Sequence, residues 1–253
     1  MTDQLVTYAV ADGVAHIEIN RPAVSNSFDL ATAKAFDDAI ARAEQDDAVR
    51  AVLLTGAGKR FSAGGDVASM VAADDQAAFL LELAEALDVA ARRLDALAKP
   101  VVCAVQGAVA GAGNSVMLAA DVIVAAEGTK FVMAYPGVGL TPDIGVSWLL
   151  PRAVGQVRAL EYALTGRQLT AAEAREWGLV TTVVADEELS QTARELAVKL
   201  AAGPVFALGQ ARRLIRDSWS RTREEAGAEE SRTIAAAVLT DDAQQRLAAF
   251  TKK

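Results

Sequence analysis

The chain has 253 residues, 52% of them hydrophobic and 23% charged, which suits a folded protein with a sizeable buried core. Its formal net charge of −8 argues against nonspecific nucleic-acid binding, which depends on clustered cations. The apolar run over residues 101–126 is interrupted by Gln106, Gly107, Gly111, Gly113, Asn114 and Asp121, so a buried strand–turn–helix–strand is expected there, not a membrane span.

In chain order, the opening MTDQLVTYAV lacks a basic region followed by an apolar stretch, so no signal peptide is expected and a reducing cytoplasm is the simplest compartment. VAHIEI (14–19) alternates and ends at NRP, as a strand entering a turn does. A helix follows, with Leu30, Ala33, Phe36, Asp37 and Ile40 at helical spacing and Ser27 as its expected cap. AVLLTG (51–56) predicts a buried strand, and residues 67–98 a helical region broken near AADD. KPVVCAVQG (99–107) is the next strand, and its lone Cys103 reads as a buried thiol. GAGNSVMLAA turns into a helix and DVIVAA (121–126) is again a strand, so the strand–helix–strand order predicts crossover units in an α/β fold.

From about residue 145 helices dominate. Thr170 and Glu173 form a capping-box pair, and Gly178 is a stop signal. LVTTVVA (179–185) predicts a short β segment, and three or four amphipathic helices follow Asp186. Of their apolar residues Ile215, Trp219, Ile234, Val238 and Leu247, most are expected in the core. The economical division is an α/β core over residues 1–195 with a helical region over 196–253, in one continuous unit.

Three glycine-containing segments carry chemistry. In RFSAGGDVASM (60–70), Gly64 and Gly65 let backbone N–H groups approach a ligand, and Asp66 can cap the next helix. VQGAVAGAGNSVML (105–118) offers a second set of free N–H groups where a helix begins. It has neither the third glycine of a dinucleotide fingerprint nor the G-K-S/T of a phosphate-binding loop. In GLTPDIGVSW (139–148), Asp143 stands between Pro142 and Gly145 among apolar residues. Local sequence leaves both a helix cap and a buried base open for it. Two donor-rich turns and one carboxylate are what an enolate reaction needs.

Taken together, IEINRPAVSNSF, AVLLTGAGKRFSAGGD, KPVVCAVQGAVAGAGNSVMLAADVIVAA, KFVMAYPGVGLTPDIG and LTAAEAREWGLV resemble the enoyl-CoA hydratase/isomerase (crotonase) superfamily. The resemblance implies a crotonase-like spiral of ββα units with a helical C-terminal trimerisation region. It implies a homotrimer or dimer of trimers, an acyl-CoA thioester substrate and no cofactor beyond that coenzyme A. No metal-ligand cluster, membrane contact or nucleic-acid partner is expected. By the same resemblance, Gly65 and Ala112 are the two oxyanion donors. Ala63, Gly64 and Asp66 belong to the loop along the adenine end of the coenzyme. Val24 and Ser25 lie beside the pantetheine and phosphates, Arg21, Lys59 and Arg60 are candidate phosphate contacts, and Phe250 resembles a C-terminal aromatic that packs near the coenzyme.

Hydratases of this kind carry two glutamates, and the matching positions here are Ser115 and Tyr135, the latter then expected beside the substrate. Asp143 falls where some isomerases carry a single acid, and KFVMAYPGVGLTPDIGVSWLLPR resembles the 1,2-epoxyphenylacetyl-CoA isomerase branch. The resemblance therefore implies an isomerase moving a proton through a dienolate with Asp143 as base. The alternatives are a hydratase with atypical residues, a dehalogenase-like member and a non-catalytic acyl-CoA binder. The dehalogenase pattern asks for a histidine that this chain, with His16 alone, does not offer.

Overall fold

The computed structural model describes residues 4–251. β1 (Val6–Ala11) and β2 (Val14–Ile19) form an antiparallel hairpin. Its turn, Asp12–Gly13, has φ of 55° and 73°, the doubly left-handed geometry that an Asp-Gly pair favours. The sequence reading had no β1, although this dipeptide was its signal. α1 (Leu30–Gln45) is capped by Asp29, whose carboxylate accepts the Thr32 N–H at 2.8 Å. Ser27, the expected cap, is buried instead.

β3 (Ala51–Gly56), α2 (Val67–Ala72), α3 (Gln76–Ala96) and β4 (Val101–Val105) follow, with the helical break where AADD predicts it. Next come β5 (Ala108–Ala110), α4 (Ala112–Leu118), β6 (Val122–Ala126) and β7 (Lys130–Val132). The later chain supplies α5 (Val146–Val154), α6 (Gln156–Thr165), β8 (Leu169–Thr170), α7 (Ala171–Trp177) and β9 (Thr182–Val184). α7 has the expected Thr170–Glu173 capping box and ends at Gly178 with φ 84°. Four helices close the chain: α8 (Leu189–Ala201), α9 (Val205–Asp217), α10 (Arg223–Ala237) and α11 (Asp241–Phe250).

The main sheet runs β1-β2-β3-β4-β6-β9, parallel from β2 onward. Its central strands β3, β4 and β6 are buried on both faces, as parallel strands under helices are, while the edge strands β1 and β9 are partly exposed. In β4, Val101, Cys103 and Val105 face the core shared with α1 and α3, while Val102 and Ala104 face α8. α8 presents Leu189, Ala193, Ala197 and Ala201, a four-residue stripe whose small side chains let it lie close to the sheet. The expected division at residue 195 falls inside this helix. A second sheet, β5-β7-β8, pairs through Lys130–Val132.

α9 is fastened to the core by Arg212, 8% exposed. Its Nε lies 2.7 Å from both carboxylate oxygens of Asp121, and its remaining donors reach carbonyls of Leu94, Asp95 and Leu97. Beyond it, Ile215, Trp219, Ile234, Val238 and Leu247 are all exposed, against the expectation that most lie in the core. Trp219 packs edge-on against Trp148 of α5, with ring centroids 5.0 Å apart, and the others keep much of their surface open. No helix among the described residues is long and apolar enough to cross a membrane.

Candidate active site

Two turns at the ends of β3 and β4 meet through their backbones. The Ser62 N–H donates to the Ala108 carbonyl at 3.2 Å, and the Ala110 N–H returns to the Ser62 carbonyl at 2.9 Å. On the other side Phe28 donates to the Gly64 carbonyl at 2.8 Å and accepts from Asp66 at 2.9 Å. The loop is thus clamped between two backbone segments. Gly64 has φ +94°, and a Cβ there would sit 2.8 Å from the Ala110 oxygen and 3.1 Å from the Ala112 nitrogen. Only glycine allows the turns to approach this closely.

The amides of Gly65 and Ala112 donate to no protein acceptor among the described residues. Ala112 supplies the first amide of α4, where helical donors have no internal partner. The preceding turn is fixed by Asn114, whose amide nitrogen donates to the carbonyls of Gly111 and Val132 at 3.2 and 3.0 Å. Its oxygen accepts the buried Tyr162 hydroxyl at 3.1 Å.

Asp143 approaches from the loop before α5. Its carboxylate does not cap that helix: the N-cap is Gly145, with no side-chain cap bond. Instead Oδ1 accepts the Tyr135 hydroxyl at 2.6 Å, and the Asp143 carbonyl accepts the Ser115 hydroxyl at 3.3 Å. Ile144, the next residue, is held at φ +52°, an uncommon and strained conformation for a β-branched residue. Burial pushes the Asp143 carboxyl above the usual carboxylate range. Asp88 adds to the rise, while the Tyr135 hydroxyl and the backbone N–H of Asp143 oppose it. Burial, followed by the Asp143 charge, raises the Tyr135 phenol further, so it stays protonated.

Gly65, Gly111, Ala112, Tyr135 and Asp143 share one cavity of about 280 Å³. Ala63 lines its edge. Val67 and Met70 of α2, and Leu80, Leu81 and Ala84 of α3, supply the facing apolar wall, with Val138, Leu140 and Thr141 completing it. Among the described residues, Asp143 is its one charged side chain. A larger cavity, about 400 Å³, lies around Arg212 and Trp219. It contains neither donor turn, and its Asp121, Arg212 and Arg216 pair with one another.

Of the residues expected at a site, the structure therefore brings together Ala63, Gly65, Ala112, Tyr135 and Asp143. Gly64 lies directly behind them. Val24 and Ser25 form the neighbouring loop, where the Ser25 carbonyl accepts the Ala63 N–H at 2.9 Å. Arg60 donates to the Ser25 hydroxyl at 2.6 Å, and Lys59 is exposed nearby in sequence. Arg21, a candidate phosphate contact, pairs with Asp29 at 3.0 Å and Asp66 at 3.1 Å. Asp66 caps α2 through the Ser69 N–H and faces Arg21 rather than the cavity. Phe250 is 80% exposed on α11 and does not line the cavity. Sequence reasoning missed the wall residues of α2 and α3, because helical spacing does not say which side faces a cavity. It also missed the Tyr135–Asp143 bond, for which eight residues of separation carry no local signal. No cluster of metal-ligating side chains occurs among the described residues.

The α/β architecture, with donor turns after successive parallel strands, is crotonase-like. The chain belongs to the enoyl-CoA hydratase/isomerase family, whose model matches residues 9–253. It is 42% identical to 1,2-epoxyphenylacetyl-CoA isomerase of Escherichia coli (strain K12) over 215 residues, 84% of this chain and 82% of that protein. It is 36% identical to trans-2-decenoyl-[acyl-carrier-protein] isomerase of Streptococcus mutans, covering 98% of this chain and 95% of that one. A solved structure of enoyl-CoA hydratase from Bacillus anthracis matches with a TM-score of 0.93 at 28% identity, covering 98% and 96% of the two chains.

Proposed function

We propose that this chain is an enoyl-CoA isomerase that moves a proton within an acyl-CoA thioester, with Asp143 as the only acid–base group. One observation carries the reading: Gly65, Ala112 and Asp143 line the same cavity, and among the described residues Asp143 is its single carboxylate. The thioester oxygen accepts from the Gly65 and Ala112 amides, which form an oxyanion hole. Asp143 removes a proton from C2 of a 3-enoyl thioester. The electron pair delocalises into a dienolate, with charge on the held oxygen. Asp143 returns the proton to C4, and the double bond ends between C2 and C3. One carboxylate serves both transfers. Hydration would also require groups to place and polarise a water, and Ser115 and Tyr135 are instead bonded to Asp143.

The E. coli relative's name supports an isomerase of a coenzyme A thioester, and the 1,2-epoxyphenylacetyl type stands beside the 3-enoyl type as the proposed reaction. The loop of Val24 and Ser25, with Lys59 and Arg60, is the proposed path of the coenzyme. Arg21 and Asp66 support that loop through their ion pair. The exposed apolar residues of α9 to α11 support a homotrimer or dimer of trimers, in which Phe250 has a partner to pack on. Light scattering is expected to give three or six chains. The buried thiol of Cys103 suits a reducing cytoplasm.

The decisive experiment follows conjugation of a 3-enoyl-CoA by ultraviolet absorbance in wild type and Asp143→Asn. A positioned acid–base group contributes about 10²–10⁴-fold, so turnover falls by that factor while acyl-CoA binding persists. Undiminished turnover in the variant, or efficient hydration of crotonyl-CoA by the wild type, overturns the reading.

A further inference from the structure

We infer that Tyr135 is a positioning residue for the base: its hydroxyl holds Oδ1 of Asp143, so that Oδ2 is the oxygen that carries the proton. This deepens the isomerase reading and rests on it for the proton's destination.

The geometry is specific. The Tyr135 hydroxyl donates to Oδ1 at 2.6 Å, within the range of strong bonds to a carboxylate. No other side chain donates to that carboxylate among the described residues. Tyr135 is itself 7% exposed, at the start of a tight turn over Tyr135–Val138, and the Leu140 N–H returns to its carbonyl at 3.0 Å. Its ring faces the second donor turn across open space: a Cβ built on Gly111 would come to 4.0 Å from its Cζ. One buried side chain thus lies in the cavity between the residue before Ala112 and the carboxylate that it holds. Ser115 anchors the same residue from below, through the Asp143 carbonyl.

Such a contact acts on chemistry as well as on placement. A carboxylate with both oxygens free can rotate, and either oxygen can pick up the proton. With Oδ1 held, one oxygen remains to serve C2 and C4. The hydroxyl also favours the ionised carboxylate over the protonated one, offsetting burial. The other charged groups facing this loop lie on α3: Asp88, its partner Arg92 at 2.8 Å, and Asp95. All three border the neighbouring cavity beneath Ile144 and Gly145. Substitution of Tyr135 leaves them in place.

The test is Tyr135→Phe, read three ways. Without its donor the carboxylate is free to rotate away from C2 and C4, and misplacement of a reacting group costs up to about a hundredfold, so kcat on a 3-enoyl-CoA falls about tenfold to a hundredfold while KM stays nearly constant. The acid limb of the rate profile moves to higher pH by about one to two units, since the ionised carboxylate loses its donor. The same displacement appears in the carbon-13 titration of labelled aspartate, with the Asp143 resonance assigned by Asp143→Asn. Should Tyr135→Phe not fold, 3,5-difluorotyrosine at position 135 keeps the ring and strengthens the donor, and the midpoint moves to lower pH. An unmoved midpoint in either protein overturns the inference and leaves Tyr135 a packing residue. If wild type turns over no thioester, the isomerase reading fails, while the titration still decides whether Tyr135 holds Asp143.

Discussion

Asp143 shows what a single acid costs and gains by standing half out of water. Its carboxyl is raised by burial, so its charged form is less favourable in the folded chain than in the unfolded one. Above the folded value the ionised group therefore lowers stability. As pH falls through that value the deficit shrinks, and below the unfolded value near about 4 it is gone. Asp143→Asn is neutral at every pH, and its oxygen can still accept from Tyr135. The variant is expected to resist urea better than wild type at pH 7 and equally at pH 3. A variant less stable than wild type at pH 7 contradicts the raised value. On the proposed reading of Asp143 as the base, the same shift places the acid limb of kcat/KM above the ordinary carboxylate range, because the protonated group could not accept a proton.

At the scale of elements, the site exists because β3 and β4 are parallel neighbours and deliver two turns to the same end of the sheet. The contact between those turns leaves no room at Gly64. Gly64→Ala combines a left-handed φ with a Cβ against the Ala110 oxygen, and is expected to cost about 1–3 kcal/mol. It also displaces Ala112 from Gly65, so turnover drops more than stability does; differential denaturation and kinetics on one sample separate the two. Much of this level was legible in sequence. Strands such as AVLLTG and VVCAV, and the helix starts after each glycine turn, follow from run length and turn chemistry. β5 and β7 did not, because three-residue strands leave no period to detect. The convergence of Gly65, Ala112 and Asp143 was not legible from local pattern either. It depends on which strands pair, and only the family resemblance anticipated it.

Across the whole molecule, α8 joins the α/β body through its apolar stripe, and α9 is tied to it by ion pairs to Asp121. Arg212 is almost fully enclosed, and nearly all of its donors are used by Asp121 and by three carbonyls. Removing one partner of such a buried pair leaves the other uncompensated, so Arg212→Ala is expected to destabilise the chain by about 3–5 kcal/mol. Urea titration by circular dichroism measures this, and a change under about 1 kcal/mol would show the clasp to be ornamental. The apolar side chains beyond Arg212 mark the limit of reading a chain alone. Apolar character led to the expectation that most of Ile215, Ile234 and Val238 lie in the core, and spacing alone does not say what covers them.

The cavity has two walls of different origin. Main-chain amides and Asp143 come from loops pinned by backbone hydrogen bonds, whereas the opposite wall is side chains of α2 and α3, and α2 buries none of its own residues. On the proposed reading, substitutions at Met70, Leu81 or Ala84 change which acyl tail fits without disturbing the route of the hydrogen. A lineage can in this way acquire new diets while inheriting its reaction unchanged.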